Sequence, residues 1–355
     1  MRIAILTNAI DEKDGGAGRI AALGVQGLKD RGHEVRTWGP KPWFVHRASL
    51  PVLYRLFEHI RDLAAWKETG KEIKDWKPDI LLTHNLTGCG FGTPKGVQAS
   101  GIPWIHIIHD VQLVEPSGQI AFQETKYFFK LAWRYFWSEL RKFVFGTPNI
   151  VISPTRWLVD FYKNWGWFKK SSIRIIPNPA PECKPVETHQ PGTILYVGRL
   201  ESDKGFDDIL KAWLNITSSD AKLICIGQGS LQKKAESMHD TRIKFLGQLS
   251  SDQVLEVMTQ IAVVVVPSKI IENQPTVILE ALASGCEVVA SNLGGIPETL
   301  NGQGYLFSPG DIQELARILN EVLMKKKKTS DKKLSRVHEF SNYIDQLEAA
   351  LREKR

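Results

Sequence analysis

The chain alternates short apolar, β-branched runs with stretches of helical period. Runs at Ile3–Leu6, Val35–Trp38, Ile80–Thr83, Trp104–Ile108 and Asn149–Ser153 predict five strands in the first half. Runs at Ile194–Val197, Lys222–Ile226, Ile243–Phe245, Ala262–Val266 and Glu287–Ala290 predict five in the second. Unbroken apolar runs suit strands covered on both faces, and their alternation with helices predicts α/β architecture with doubly wound parallel sheets. At 355 residues the chain exceeds one ordinary core, so two domains are expected. The join falls at Ile176-Pro-Asn-Pro-Ala-Pro-Glu-Cys-Lys-Pro185, a stiff connector. The expected division is residues 1–180, residues 181–330, and a C-terminal helix within 331–355 that returns to the first domain. Two such sheets predict a ligand cleft between them.

One stretch has two stripes at helical spacing. Phe129, Trp133, Phe136, Leu140 and Phe143 form the apolar one, and Lys126, Lys130, Arg134 and Arg141 the cationic one. The apolar stripe is expected to pack into the first domain. The cations, with Trp157, Trp165, Trp167 and Phe168 beyond them, predict a basic aromatic patch over residues 126–170 suited to anionic lipid headgroups. The Lys325–Lys328 run reads as solvated linker.

Composition narrows the compartment and the partners. Cys89, Cys183, Cys225 and Cys286 are scattered with no Cys-x-x-Cys pair, which predicts a reducing compartment, no disulfide framework and no zinc site. Met1-Arg-Ile-Ala-Ile-Leu6 is too short for a signal-peptide core, and Asp11, Glu12 and Asp14 follow it. No apolar run approaches the ~20 residues of a membrane helix. The expected location is therefore cytoplasmic, peripheral to a membrane's inner face. A net charge of +7 permits nucleic-acid binding. No recognition-helix, zinc-finger or RNA-binding-sheet motif accompanies it, so no nucleic-acid partner is expected.

The richest segment is Pro267 to Glu298. Ile261-Ala-Val-Val-Val-Val266 ends at Pro267, and Pro275 suits a first helical position capped by Asn273 or Gln274. The amides of Thr276, Val277 and Ile278 would then face the sheet's carboxyl edge, a phosphate-favouring place. Glu272 and Glu280 lie eight residues apart across that start. A carboxylate accepts hydrogen bonds from two sugar hydroxyls, so the unit can hold a sugar, a diphosphate and a ribose in a row. This segment resembles the Glu-x7-Glu signature of retaining family 4 glycosyltransferases, which have the two-domain GT-B fold. The resemblance implies that Glu272 contacts the donor sugar and Glu280 the nucleotide ribose. Asn273-Gln274-Pro275 stands where many members have Gly-Phe-Gly.

Other segments are similar to the same family. Gly15-Gly16-Ala17-Gly18, followed by Arg31-Gly-His-Glu-Val35, resembles its first loop and helix, which implies Gly15 and Gly16 near the diphosphate. Ile105-His106-Ile107-Ile108-His109-Asp110 places His109 where the family has a histidine under the donor sugar; His106 matches no such position, and His84 is a weaker counterpart on the acceptor side. Gly198-Arg199-Leu200, with Lys204-Gly205, resembles the loop that pairs cations with the diphosphate, implying that role for Arg199 and Lys204. Gly227 lies in the segment near the nucleobase. Asn178 resembles a Pro-Asn-Gly hinge in which Pro179 replaces the glycine. The implied activity is retaining transfer from a UDP- or GDP-sugar to a glycan or lipid-linked acceptor. With no Asp-x-Asp pair or metal-ligand cluster, neither metal nor cofactor is expected beyond the donor. A sugar-nucleotide epimerase is the nearest alternative enzyme and lacks this combination of loops.

Overall fold

The computed structural model describes residues 1–10, 15–40, 52–65, 67–126, 128–182, 190–325 and 338–353. The chain divides into two units. Met1–Ile120, Lys126–Asn178 and Ser341–Arg355 make the first; Ala121–Thr125 and Pro179–Phe340 make the second. The division near residue 178 lies in the proline-rich connector, and a five-residue segment of the first half joins the second unit.

The first unit is built on six strands: β1 (Arg2–Leu6), β2 (Glu34–Trp38), β3 (Ile80–Thr83), β4 (Trp104–Ile107), β5 (Ile150–Ser153) and β6 (Ser172–Ile175). They form one parallel sheet in the order β2-β1-β3-β4-β5-β6. The second holds β7 (Gln190–Val197), β8 (Lys222–Ile226), β9 (Ile243–Gly247), β10 (Ile261–Val266), β11 (Glu287–Ser291) and β12 (Tyr305–Phe307). Its order is β12-β11-β10-β7-β8-β9, again all parallel. Strands β6 and β12 carry no long apolar run, which hides them in the sequence; each is a short edge strand. The valines of β10 show why the run is unbroken. Val263 and Val265 enter one core with Tyr196 and Leu319, while Val264 and Val266 enter another with Leu195 and Ile278. A strand sends alternate side chains to opposite faces, so a strand covered twice needs apolar residues throughout.

Each sheet reverses its winding direction once, between β1 and β3 in the first and between β7 and β10 in the second. At such a reversal neighbouring loops diverge and leave a crevice beyond the strands' carboxyl ends.

Two features differ from expectation or extend it. The helix Phe128–Phe145 is turned over. Phe129 is 86% exposed and Phe143 78%, with Trp133 and Phe136 also outward. Arg134 and Arg141 are buried instead, beside Trp137 and Phe145. Arg134 Nε donates to Glu115 Oε2 at 2.8 Å, and the Arg141 guanidinium lies 4.5 Å from the Phe91 ring centre and 5.1 Å from that of Trp137. Those inward partners, unseen in a helical wheel, decide which stripe is buried. The final helix, Phe340–Arg352, belongs to the first unit. Arg31 bridges Asp345 at 2.5 Å, His33 Nε2 meets Glu348 Oε1 at 3.0 Å, and Arg174 bridges Glu353 at 2.6 Å. Tyr343 and Leu347 approach Gly24.

Candidate active site

In the second unit the cationic loop follows β7. Gly198, Arg199 and Lys204 stand at its carboxyl end, and the Pro267–Pro275 loop follows β10 across the winding reversal. Lys204 Nζ donates to Glu272 Oε1 at 2.5 Å. Ser268 Oγ lies 3.1 Å from the same oxygen. Arg199 Nη2 donates to Asp203 Oδ2 at 2.5 Å, and the Tyr196 hydroxyl donates to the Arg199 carbonyl at 2.6 Å. Lys269 Nζ donates to Asp207 at 2.7 Å and Asp208 at 3.2 Å. Lys269 thus bridges two carboxylates, whereas Arg199 and Lys204 each pair with one acid.

Glycines let these loops touch backbone to backbone. A Cβ on Gly205, whose φ is +72°, would stand 1.8 Å from the Pro267 carbonyl oxygen. One on Gly295 would stand 2.0 Å from the Asn273 carbonyl oxygen, and the Gly295 amide donates to the Glu272 carbonyl at 2.8 Å. No side chain fits either gap. The Gly294-Gly295 pair, read from sequence as a turn signal, therefore clamps the backbone of Glu272. Gly227 follows β8, and its amide donates to the Gly247 carbonyl at 2.8 Å.

The helix Thr276–Ala283 begins one residue later than expected. Pro275 is itself the cap, with φ −62° and ψ 121°; its ring fixes φ but leaves ψ extended, so neither Asn273 nor Gln274 occupies that position. The Ile278 amide donates to the Pro275 carbonyl at 3.1 Å, which removes it from the proposed phosphate donors and leaves Thr276 and Val277 as the first amides of the helix. Glu280 is buried within it.

In the first unit the loops after β1, β2, β3 and β4 enclose a cavity of about 350 Å³ lined by Asn8, Ala9, Pro40, Asn85, Thr87, Asp110, Gln112, Pro116, Ser117 and Gly118. His109 lies beside it in sequence, two residues beyond β4. Its Nε2 meets His84 Nδ1 at 2.8 Å with the rings nearly parallel. Burial holds the His109 imidazole down at about 4, and burial with the neighbouring histidines holds His84 well below its ordinary range. His106, pushed down by burial to about 3, is a structural residue: its Nδ1 pairs with Thr83 Oγ1 at 2.8 Å. These rings are neutral at neutral pH. Gly15 and Gly16 mark the start of the helix Gly16–Asp30 after β1, with Gly15 at φ +84°.

The cavity residues were largely missed from sequence. Asn85 Nδ2 donates to Asp110 Oδ2 at 2.7 Å, and the Gln112 amide donates to Asp110 Oδ1 at 2.8 Å. Gln112 Oε1 accepts from the Leu86 amide at 3.1 Å and from Thr87 Oγ1 at 3.2 Å. Burial raises the Asp110 carboxyl against these donors. The available signal was position: Asn85 and Asp110 each directly follow a strand-end histidine.

Two doubly wound parallel sheets define a two-domain Rossmann-like α/β class, and comparison with known proteins makes it specific. The description Glycosyl transferases group 1 matches residues 191–325, and Glycosyltransferase Family 4 matches residues 14–181. The crystal structure of Anabaena Alr3699/HepE in complex with UDP superposes with a TM-score of 0.69 at 17% identity, over 99% of this chain and 100% of that one. An uncharacterized 42.6 kDa protein from the cps region of Klebsiella pneumoniae is 25% identical over 286 residues, 78% of this chain and 74% of that protein. Glycogen synthase of Mycobacterium tuberculosis is 35% identical over 144 residues, and the aligned part spans 34% of that enzyme. The fold is GT-B. The chain belongs to the family 4, group 1 glycosyltransferases.

Proposed function

We propose that the protein transfers a sugar, with retention at the anomeric carbon, from a UDP- or GDP-sugar to a hydroxyl of a glycan or lipid-linked acceptor in cell-surface polysaccharide or glycolipid synthesis. The observation that carries the reading is the Lys204–Glu272 pair beside Arg199 at the winding reversal of the second sheet. The UDP bound by the Anabaena protein and the cps region of the Klebsiella relative support it. The sugar–phosphate bond breaks as the acceptor oxygen bonds to the anomeric carbon from the same face, and the acceptor proton passes to the departing phosphate. Arg199, Lys204 and the Thr276 and Val277 amides stabilise charge that grows on the leaving diphosphate. Each of the two cations exchanges its carboxylate for phosphate, and Glu272 is released to accept from donor-sugar hydroxyls. Glu280 takes the ribose hydroxyls, and Gly227 lies along the base. Neutral His109 acts as a hydrogen-bond partner of the sugar, and Gly15 and Gly16 allow close backbone approach to the donor. The step uses no resident metal, so transfer is expected to survive exhaustive chelation. Lys204→Ala and Glu272→Ala each should abolish most transfer in a folded protein; near-normal turnover in both sinks the assignment.

The acceptor's setting follows from the overturned helix. Its outward Phe129, Trp133, Tyr135, Phe136 and Phe143, with Tyr54, Phe57 and Ile60 of the helix Val52–Ala64, present a broad aromatic surface. Arg61 and Lys130 are exposed beside it, and Glu139 is the one acid of the helix. Aromatic rings with cations at their margin suit the headgroup layer of an anionic bilayer. Among the described residues no helix is long and apolar enough to cross a membrane, so contact would be peripheral. Sedimentation with anionic vesicles tests it: binding at low salt that is lost with neutral vesicles is expected, and none at low salt removes the idea.

A further inference from the structure

We propose that Lys269 is a positioning residue of the donor site: it engages Asp207 and Asp208, so that Arg199 and Lys204 stay available to an incoming diphosphate. The diphosphate itself rests on the transfer reading above. The loops after β7 and β10 bring together an excess of acid. Residues 199–208 and 267–275 hold five carboxylates, Glu201, Asp203, Asp207, Asp208 and Glu272, against three cations, Arg199, Lys204 and Lys269. Such a balance opposes an anion unless the acids are occupied elsewhere.

Each acid has its own occupation. Glu201 accepts from the Ser230 amide at 2.7 Å and from its hydroxyl at 2.5 Å. Asp203 holds Arg199, and Glu272 holds Lys204. Lys269 takes the remaining two: Nζ donates to Asp207 Oδ1 at 2.7 Å and to Asp208 Oδ1 at 3.2 Å, with Ser202 Oγ also at 3.2 Å. Asp207 has a second cation in the exposed Lys211, at 3.7 Å. Asp208 is the demanding member. It is 4% exposed, and its Oδ2 is buried with no hydrogen-bond partner. Both acids follow Lys204 by only three and four residues. Without Lys269 they would compete with the diphosphate for the ammonium of Lys204, in a crevice that water screens poorly.

The Lys269 ammonium is not what holds the two loops together. The Lys269 amide donates to the Asp203 carbonyl at 2.9 Å, and its carbonyl accepts from the Phe122 amide at 2.8 Å. Gly205 lies against the Pro267 carbonyl with no room for a Cβ. These backbone contacts persist whatever side chain stands at position 269. The side chain's task is therefore electrostatic.

The test is calorimetric titration of the full chain with UDP and with GDP, followed for whichever the parent binds. Lys269→Met should weaken that nucleotide about tenfold or more. Lys269→Arg, which keeps a cation within reach of both acids, should stay within about threefold of the parent. The deciding variant adds Asp207→Asn and Asp208→Asn to Lys269→Met. With no acids left to occupy, affinity should return to within about threefold of the parent. This triple variant also guards against misfolding, because it leaves no buried carboxylate unpaired at the site. The proposal is overturned if folded Lys269→Met binds like the parent. It is equally overturned if the folded triple variant binds about tenfold more weakly than the parent, which would make Lys269 a direct phosphate ligand. Should the parent bind neither UDP nor GDP, the transfer reading falls and this role with it; an unaffected Lys269→Met in a parent that binds removes this role alone.

Discussion

The two winding reversals solve one problem, polar groups at the carboxyl ends of parallel strands, with opposite chemistry. The second unit builds its site from fixed charge: Arg199, Lys204 and Glu272 on loops that glycines press together. The first builds from neutral groups, with imidazoles that burial keeps uncharged and a carboxylate wrapped in amide donors. Charge suits a diphosphate, whose recognition must hold while negative charge concentrates on it. Neutral acceptors and donors suit hydroxyls, which bring none. The difference teaches that a pair of similar sheets need not divide one ligand evenly; each reversal point is specialised by the polarity of its loops.

The largest way to break this comparison is to remove the charge. Lys204→Ala should lower kcat/KM for donor about 100- to 1,000-fold, the usual loss when one transition-state donor is deleted, and the fall should appear in kcat. The melting temperature should be unchanged, and a fall in both would point to lost folding instead of lost chemistry.

Next comes Gly295→Ala. Its new methyl has no room beside the Asn273 carbonyl, so the Glu272 loop must move, at a cost of about 1–3 kcal/mol as for other overpacked positions. Donor affinity measured by calorimetry should weaken in proportion. Unaltered donor affinity and melting temperature together would show that the loop yields freely.

This pair of predictions also marks what was legible in the sequence. Among the described residues, ten of the twelve strands could be read because strands covered on both faces must be apolar throughout. Arg199 and Lys204 stood out by their place just after a strand and before a glycine, and Glu272 by its eight-residue spacing from Glu280 across a helix start, which resembles the family signature. The neutral site stayed dark for the converse reason. Asn85, Thr87 and Gln112 are ordinary loop residues until the fold brings them around Asp110, and nothing in their spacing signals it. Pro275 misled by one residue because its ring fixes φ at a helical value while leaving ψ free to stay extended, as it does here. The stripe of Phe129 to Phe143 misled because an amphipathic period says that two faces differ, without saying which is buried. The sidedness was decided by Glu115, Phe91 and Trp137, far off in sequence or on the opposite stripe.

Acid separates the units more mildly. His84, His106 and His109 stay neutral when folded but take up protons near 6.5 when unfolded. Between that value and about 4 the unfolded chain binds more protons through these residues, so stability of the first unit falls as pH falls through this window. Asp62, raised by burial to about 6, and Asp110 oppose the trend with two groups against three. In the second unit Asp240 is held low chiefly by its hydrogen bonds from Arg242, and Glu201 by those from Ser230. Their stabilisation persists until pH drops below the ordinary carboxylate range. Hydrogen exchange at pH 5 should thus show protection lost first in β1, β3 and β4; equal loss in β7 and β10 would contradict the assignment of neutral histidines.

The smallest effect on stability tests the overturned helix, where two faces of one element can be set against each other. Phe129 and Phe136 are exposed, so Phe129→Ser with Phe136→Ser should change folding stability by no more than about 0.5 kcal/mol, the range for surface substitutions. Arg134→Ser on the opposite face should cost more, because it strips Glu115 of a partner in a nearly buried ion pair. Urea unfolding of both variants measures the contrast. If the proposed membrane face is right, the aromatic double variant should nevertheless lose most of its binding to anionic vesicles. A stability loss above about 1 kcal/mol in that variant, beyond what surface positions give, would mean that the rings pack against protein, and the membrane face would have to be sought elsewhere.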